Sequence, residues 1–324
     1  MDFKPEKIEA GIIFNNEPRL SEHEADKELN TKRLELVPVV RDFISTHERF
    51  QGQSVTVTFN NTGIASLVSI IETPNDKTVL KIPLDPKCEG EALFLKAWNE
   101  LGVTVPKVIN DGLIAGNHYI LMDYIQAEIL RDSNTYEQLV KKGTFTEMGR
   151  ILRRMHMPRA EGFGRITNGK AKYVEFRDWL ESDYIAKNIR YVRENGVLSD
   201  EHGSIQTAFE TLLSHMRGSA TSTYCHNDFF PNNIFDTDPL TIFDPDPSLN
   251  DGYIDLGRSI IMAVGYGGLP EAGTQLTKGY FDDESFDQST LRSAILLNSH
   301  LKVARWHKVK NFKNITNIQR YLMQ

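Results

Sequence analysis

The sequence predicts an α+β fold made of two regions, a small antiparallel sheet with one helix and then a larger, mostly helical part. Short segments between residues 54 and 82 are rich in β-branched residues and alternate apolar with polar side chains, which is typical of half-buried strands. Beyond residue 125 the apolar residues recur at helical spacing instead. We therefore divide the chain into residues 1–125, which include a helical extension over 1–50, and residues 126–324.

The strands of the first region follow one another closely enough to form an antiparallel meander. A turn that contains Gly63 joins the first two strands, and the turn TPNDK leads to the third. Phe94 and Trp98 then share one face of a helix. The predicted elements are strands at 54–59, 64–71 and 78–82, a helix at 89–101, and strand-like runs at 107–109 and 118–125.

Helical periodicity dominates the second region. The clearest case is the segment 144–157, where Thr144 and Glu147 predict a capping box at the start of the helix. The segment 223–256 has few helix signals and many Asp, Asn and Pro residues, so we expect irregular structure there. Further helices are predicted at 173–193, 203–217, 257–265 and 288–309.

Composition limits the class of protein. Two cysteines in 324 residues exclude a disulfide scaffold and a multi-cysteine metal site. The formal charge of -7, from 37 basic and 44 acidic residues, argues against a basic nucleic-acid-binding surface. No stretch approaches the roughly 18 continuous apolar residues of a membrane span, and the charged start MDFKPEKIEAG lacks a signal-peptide core. We expect a cytoplasmic protein with neither a nucleic-acid nor a membrane partner.

Residue types suited to phosphoryl transfer are concentrated in the Asp-rich segment. It contains His226, Asp228 and Asn233 in the pattern H-x-D-x-x-x-x-N. An apolar run then ends in Asp244, and Asp255 follows eleven residues later at the start of a predicted helix. Mg²⁺ prefers oxygen ligands such as carboxylates, and another carboxylate could take the proton of an acceptor hydroxyl. A catalytic Asp followed by an Asn and a metal-binding Asp is the order that the kinase reaction uses.

Simpler interpretations of the same segment stay open. Asp, Asn and Pro are typical of plain turns, and an isolated D-x-x-x-x-N most often marks one. A calcium loop starting at Asp244 fits poorly, because Leu249 stands where glycine is needed and position twelve is not Glu. Cys225 and His226 would point to opposite faces of a strand, so an inert cysteine and a buried histidine fit better than a thiol dyad.

The segment resembles the signature of the aminoglycoside phosphotransferase (APH) family of small-molecule kinases, which is H-x-D-x-x-x-x-N followed by an apolar strand that ends in Asp. The resemblance implies a two-lobed protein-kinase-like fold, with a nucleotide-binding N-terminal lobe and a helical C-terminal lobe that carries the catalytic loop and the acceptor site. It implies Asp228 as the catalytic base, and Asn233 and Asp244 as Mg²⁺ ligands. His226 would brace the catalytic loop, and Asp255 would hold that loop from the following helix.

The resemblance also implies nucleotide contacts in the first region. It asks for a lysine on the third strand, where Lys81 lies in TVLKI, although by itself this residue could be an exposed strand lysine. Glu91 is preferred over Glu89 as its partner, because Glu91 precedes Phe94 by three residues and continues the apolar face of the helix. The other nucleotide-binding candidates are Thr62, Gly63 and Ser66 near the phosphates, and Met122 and Tyr124 in the strand that leads to the adenine hinge.

The sequence therefore predicts an ATP- and Mg²⁺-dependent phosphotransferase that acts on a hydroxyl of a small molecule. It does not distinguish ATP from GTP, and it leaves the oligomeric state open. The alternatives are a kinase for a sugar, choline or another metabolite, a catalytically silent nucleotide-binding protein of the same fold, and a non-enzymatic cation binder, which would leave Lys81 and Glu91 unexplained. A protein kinase is disfavoured, because ten residues between Asp244 and Asp255 leave no room for an activation segment and Asp246 replaces the usual glycine.

An aminoglycoside-type antibiotic is one candidate acceptor, which would make antibiotic resistance the biological role. GFGRI at 162–166 and the helix after it resemble a stretch of the hygromycin-type antibiotic kinases. Acidic side chains suit a cationic aminoglycoside, whereas the alternative for these residues is a solvated helix face. The candidate acceptor-binding residues are Glu175, Asp178, Glu181 and Asp183.

Overall fold

The computed structural model describes residues 7–8, 11–21, 27–60, 65–85, 89–198, 204–219, 221–282 and 284–323. The chain divides into two compact units. Unit 1 comprises Met1–Lys96 and Pro106–Gln126, and unit 2 comprises Ala97–Val105 and Ala127–Gln324.

Unit 1 is built on a seven-stranded sheet. Its strands are β1 (Lys7–Ile8), β2 (Ile12–Phe14), β3 (Val55–Asn60), β4 (Ser66–Thr73), β5 (Asp76–Pro83), β6 (Val108–Ile114) and β7 (Asn117–Asp123), and its helices are α1 (Lys27–Thr46) and the first part of α2 (Glu91–Glu100). The strand order is β1-β2-β3-β4-β5-β7-β6. β2 and β3 pair in parallel, and the other neighbours are antiparallel.

The predicted meander of β3, β4 and β5 is confirmed. Alternation places Val55, Val57 and Phe59 of β3 in the core, where they pack with buried residues of α1 such as Val40 and Phe43. The strand-like run expected at 107–109 is longer, because β6 continues to Ile114 as the edge strand of the sheet. Polar residues are tolerated on this strand because one of its sides has no neighbouring strand.

Unit 2 is largely helical, and a five-stranded sheet and a two-stranded ribbon lie among its helices. The sheet order is β10-β9-β14-β11-β8, and β12 pairs with β13. The strands are β8 (Arg159–Glu161), β9 (Phe163–Thr167), β10 (Lys170–Tyr173), β11 (Thr221–Cys225), β12 (Ile234–Phe235), β13 (Thr241–Ile242) and β14 (Ser248–Asn250). The helices are α3 (Leu130–Ser133), α4 (Tyr136–Lys142), α5 (Thr144–Met155), α6 (Phe176–Leu180), α7 (Asp183–Glu194), α8 (Ser204–His215), α9 (Gly252–Gly267), α10 (Pro270–Phe281), α11 (Gln288–Lys308) and α12 (Phe312–Leu322).

Three sequence predictions for this unit are wrong in detail. The single helix expected at 173–193 is β10 followed by α6 and α7. Phe176 and Ile185 are nine residues apart and would lie on opposite faces of one continuous helix, whereas the break lets both enter the same core. The segment 223–256 is also more ordered than expected, since it contains β12 and β14 besides β13, the strand that the resemblance placed before Asp244.

The capping box predicted at Thr144 and Glu147 is the third error. Gly143, with φ 72°, ends α4 and is also the N-cap of α5, so no side chain caps α5. The capping box forms one helix earlier, between Thr135 and Gln138.

Helix α10 is not among the helices predicted from the sequence. A Cβ atom at Gly279 would lie 1.9 Å from the carbonyl oxygen of Thr146, so the glycine permits close packing of α10 on α5. No helix in the described part of the chain combines the length and apolar character needed to cross a membrane.

Candidate active site

The lysine and glutamate expected in unit 1 form a buried ion pair. Lys81 lies in β5 between Val68 of β4 and Ile120 of β7. Its Nζ is 2.8 Å from Oε1 and 2.7 Å from Oε2 of Glu91, the first residue of α2. The two residues are only 6% and 9% exposed. The alternative of an exposed strand lysine is therefore wrong for Lys81.

The other nucleotide-binding candidates of unit 1 differ in surroundings. Thr62 and Gly63 lie outside the described residues. Ser66 begins β4, and its carbonyl oxygen accepts a hydrogen bond from Arg33. Met122 is buried in β7 opposite Val79 of β5. It lies two residues after Ile120, the β7 residue that pairs with Lys81. The ammonium group of Lys77 lies 4.4 Å from the ring centroid of Tyr124.

Glu89, the other glutamate weighed as the partner of Lys81, faces His118 instead.

In unit 2 we call residues 226–233 the catalytic loop, from their predicted role. The loop begins directly after β11, and His226 holds its first turn. Nε2 of the buried His226 ring lies 3.1 Å from the carbonyl oxygen of Phe243, so Nε2 carries the hydrogen. Nδ1 can then accept the backbone N–H of Asp228 at 3.3 Å. Trp98 stacks on the ring at a centroid distance of 5.8 Å. Burial lowers the pKa of His226 although the nearby carboxylate of Asp255 raises it, which favours a neutral bracing residue.

Asp255 anchors the same loop from the first turn of α9. Its Oδ2 accepts the backbone N–H of His226 at 2.7 Å, and its Oδ1 accepts that of Asn227 at 2.8 Å. Nε2 of His156 at the end of α5 lies 3.0 Å from Oδ2. Burial alone would raise the pKa of Asp255, but the pKa is lowered because the hydrogen bond and charge of His156 act together with His226 and the backbone N–H of Asn227. The carboxylate therefore stays ionised and holds the loop backbone.

Asp228 and Asn233 are joined side chain to side chain. The amide nitrogen Nδ2 of Asn233 donates to the backbone oxygen of Asp228 at 2.8 Å and to its Oδ2 at 2.9 Å. Because the amide nitrogen is used in this way, Asn233 can offer its carbonyl Oδ1 to a cation. The Asp228 side chain is 33% exposed, so its carboxylate can be reached by a small molecule.

Backbone hydrogen bonds place Asp244 beside this loop. The N–H of Phe243 donates to the carbonyl of Asn233 at 3.1 Å, and the N–H of Asp246 donates to that of His226 at 2.9 Å. Asp244 lies between these two attachments with φ 55°, a left-handed conformation that is uncommon outside glycine. A carboxylate and an amide oxygen on adjoining segments are hard donors of the kind that Mg²⁺ prefers, so the residues present fit this metal.

Burial makes Cys225 inert. Burial raises the pKa of its thiol well above the usual range. Ligand atoms of His156, Cys225 and Asp255 lie within 4.8 Å of one another. Because Asp255 already accepts three hydrogen bonds and the thiol is protonated, this group is a hydrogen-bond network rather than a metal site.

The four acidic candidates for acceptor binding make their contacts away from the catalytic loop. All of them are exposed. Glu181 pairs with Arg177, and Asp183 with Lys187, each one helical turn away. Within the described residues, Glu175, Asp178, Glu181 and Asp183 make no hydrogen bond or ion pair to residues 226–233.

Sequence reasoning missed the basic side chains that face Asp228 and Asp246. Nζ of Lys302 in α11 lies 3.3 Å from Oδ1 of Asp228. Arg258 in α9 and Arg165 in β9 both face the carboxylate of Asp246. One signal was available, because Lys302 interrupts an apolar run of α11 in which Leu301, Val303 and Ala304 are all buried.

These features define a kinase-like class of protein, with a lysine–glutamate pair in a sheet unit and a braced Asp–Asn loop in a helical unit. The sequence pattern of the phosphotransferase enzyme family (APH) matches residues 56–287, which is more than half of the chain. The chain belongs to this family. No curated protein matches the sequence significantly.

Solved structures share the fold at low sequence identity. A thermostable mutant of aminoglycoside phosphotransferase APH(4)-Ia, in ternary complex with AMP-PNP and hygromycin B, superposes with a TM-score of 0.59 at 16% identity, covering 88% of this chain and 96% of that one. A choline/ethanolamine kinase family protein from Mesorhizobium loti gives 0.54 at 17% identity, covering 89% and 91%. A candidate fructosamine-3-kinase from Thermobifida fusca gives 0.53 at 17% identity, covering 86% and 99%. At such identities the similarity concerns the fold, and it confirms the predicted kinase-like α+β class.

Proposed function

We propose that this protein transfers the γ-phosphoryl group of ATP to a hydroxyl group of a small molecule, with Mg²⁺ as the metal. The observation that carries the proposal is the arrangement around Asp228. An accessible carboxylate is fixed by Asn233, in a loop that Asp255 braces, directly beside Asp244. A plain turn or a simple cation binder would need neither the buried brace nor the Lys81–Glu91 pair.

Asp228 is the proposed catalytic base. Each carboxylate oxygen keeps lone-pair capacity beyond its bond to Asn233 or Lys302, so Asp228 can also accept the hydrogen bond of an acceptor hydroxyl. As the hydroxyl oxygen bonds to the γ-phosphorus, the bond from phosphorus to the bridging oxygen breaks and ADP leaves. The hydroxyl proton passes to Asp228. Because phosphoryl transfer has a loose transition state, orientation of the hydroxyl contributes as much as proton removal.

The other side chains bind and position the nucleotide. Asn233 Oδ1 and the Asp244 carboxylate are the proposed ligands of Mg²⁺, which when bound neutralises phosphate charge. Lys81 is the proposed contact to the α- and β-phosphates, and its buried pair with Glu91 fixes the ammonium group in place. Ser66, Met122 and Tyr124 remain proposed nucleotide contacts on the unit 1 sheet, together with Thr62 and Gly63.

Turnover of the Asp228→Asn variant tests this function. We would measure ADP release from ATP and Mg²⁺ with a panel of aminoglycosides, choline, sugars, sugar amines and hydroxy acids. The variant keeps the shape of the side chain and loses the base, so kcat should fall by roughly 10²–10⁴-fold while nucleotide affinity and Tm change little. Asp42→Asn, at an exposed position of α1, is the matched control.

Two outcomes would contradict the proposal. If Asp228→Asn turns over an accepted substrate at a near-normal rate, Asp228 is not the base. If wild type and variant release ADP equally slowly with every compound while ATP still binds, the protein is a silent nucleotide-binding member of the family.

A further inference from the structure

Lys302 presents a buried positive charge to the catalytic loop. Its side chain is 10% exposed, and its Nζ is 3.3 Å from Oδ1 of Asp228. Charge-assisted hydrogen bonds of this type are usually about 2.7–2.9 Å long. The contact is thus long, and the ammonium group keeps donors for a further acceptor, because lysine has three.

Arg258 supplies a second cation with little hydrogen bonding. Its closest carboxylate is that of Asp246, with 3.7 Å between Nη2 and Oδ2, which exceeds hydrogen-bond distance. The other oxygen of Asp246 already accepts from Nη2 of Arg165 at 2.7 Å. Nε of Arg258 is buried and has no hydrogen-bond partner among the described residues. A guanidinium group in this state can receive an anion through its planar set of donors.

Three cations surround two of the carboxylates in this region. Lys302 faces Asp228, and Arg258 and Arg165 face Asp246, while the neighbouring Asp244 is a proposed ligand of Mg²⁺. Burial lowers the pKa of Lys302 to about 8, and the positive charge of Arg258 acts in the same direction, whereas Asp228 and Asp246 oppose the change. Lys302 is therefore mainly charged at pH 7, beside a second cation that repels it. Buried like charges repel each other, and an anion that bonds to both relieves the repulsion.

We propose that the acceptor carries an anionic group, a carboxylate or a phosphate, and that Lys302 and Arg258 bind this group next to Asp228. The inference rests on the proposed function and adds the charge class of the substrate. A hydroxyl of the same molecule would then meet the free lone pairs of Asp228. A polycationic aminoglycoside would bring ammonium groups against two side chains of the same sign, and the acidic residues that would favour it lie on exposed, ion-paired surfaces.

Matched acceptors that differ in charge test the proposal. We would compare initial rates within two matched sets of acceptors. The first set is gluconate, glucose and glucosamine, and the second is glycerate, glycerol phosphate, glycerol and aminopropanediol. Choline and aminoglycosides serve as further cationic acceptors. The expected result is the highest kcat/KM within the anionic set. Arg258→Met and Lys302→Met should lower kcat/KM for anionic acceptors about ten-fold or more beyond any loss with their neutral counterparts, as loss of a hydrogen bond to a charged group predicts. Lys302→Arg should restore part of the loss.

Binding gives a second readout that needs no turnover. Anionic panel compounds should raise the Tm of the wild type, and this shift should disappear in Arg258→Met and persist in Arg292→Met, which replaces an exposed arginine of α11. A preference for neutral or cationic acceptors would overturn the proposal. An equal loss with all acceptors in the Lys302 and Arg258 variants would also overturn it, because the cations would then act on the transferred phosphoryl group or on Asp228.

The Asp228→Asn variant separates this inference from the function beneath it. If that variant abolishes phosphorylation of a preferred cationic acceptor, the kinase function stands and the anionic acceptor is wrong. If no compound of any charge supports turnover above the Asp228→Asn background and no anionic compound raises the Tm, both are wrong.

Discussion

Replacing Asp255 with asparagine tests the brace of the catalytic loop. The wild-type carboxylate accepts from His226 N–H at 2.7 Å, from Asn227 N–H at 2.8 Å and from His156 at 3.0 Å, in full burial. An asparagine side chain has one oxygen and one NH₂ group. At least one backbone N–H of the loop would then face another donor, and the other contacts would lose the contribution of the charge.

The magnitude follows from these contacts. A hydrogen bond to a charged group contributes about 1.5–3 kcal/mol, and a buried donor without a partner adds its desolvation cost. Breaking one buried charged partnership typically costs about 3–5 kcal/mol, and we expect Asp255→Asn to lower the free energy of unfolding by that amount. Such a loss is a large part of a typical stability of about 5–15 kcal/mol.

Urea unfolding followed by circular dichroism measures this loss, with Asp42→Asn as the control at an exposed position. The folded-state pKa of Asp255 is lowered, so its contribution is present above the unfolded pKa and is lost as the pH falls through the folded pKa. The stability difference between wild type and Asp255→Asn should therefore shrink in acid below about pH 4. A difference under about 1 kcal/mol at pH 7, or one that does not depend on pH, would refute the bracing role.

Three further predictions concern charge and packing. The pKa of Lys302 is about 8 in the folded state and 10.5 in the unfolded state, so the stability of the wild type should rise between these pH values, by about 3 kcal/mol at most. Lys302→Met should lack this rise, and urea unfolding of both proteins at pH 7 and pH 10 measures it. The same pH dependence in both proteins would contradict a buried charge at Lys302. Gly279→Ala should destabilise the protein by about 3 kcal/mol or more, since its Cβ would lie 1.9 Å from Thr146 O; an unchanged Tm would show that α10 can shift. Lys81→Met leaves Glu91 buried without its cation and should lower the free energy of unfolding by about 3–5 kcal/mol. The double variant Lys81→Met with Glu91→Leu should regain stability, but its affinity for ATP should stay low. Full ATP affinity in the double variant would exclude Lys81 as a phosphate contact.

Local patterns in the sequence were sufficient for the central strands of the unit 1 sheet and for the order of the candidate site. They did not predict β1 and β2, which lie where a helical extension over 1–50 was expected; in the described part of that extension α1 is the only α-helix. Alternation of apolar residues predicts β3 to β5, because successive side chains of a strand point to opposite faces. Glu91 could likewise be chosen as the partner of Lys81 from a local pattern, because helical spacing places Glu91 on the buried face of α2. The spacing of Asp228, Asn233 and Asp244 is likewise a property of one short segment.

Contacts between residues that are distant in sequence decided the rest. His156 reaches Asp255 across 99 residues, and Lys302 reaches Asp228 across 74. Neither pairing has a local signal, because helical periodicity reports which face of a helix is buried and not what that face meets. The break before α7 has the same cause, since it serves packing of Ile185 into a core built largely by distant helices. The sequence by itself determined which residues are candidates for the chemistry. The tertiary structure decided that Lys302 contacts Asp228 and that Arg165 and Arg258 face Asp246, because charges from separate elements meet only when the chain packs.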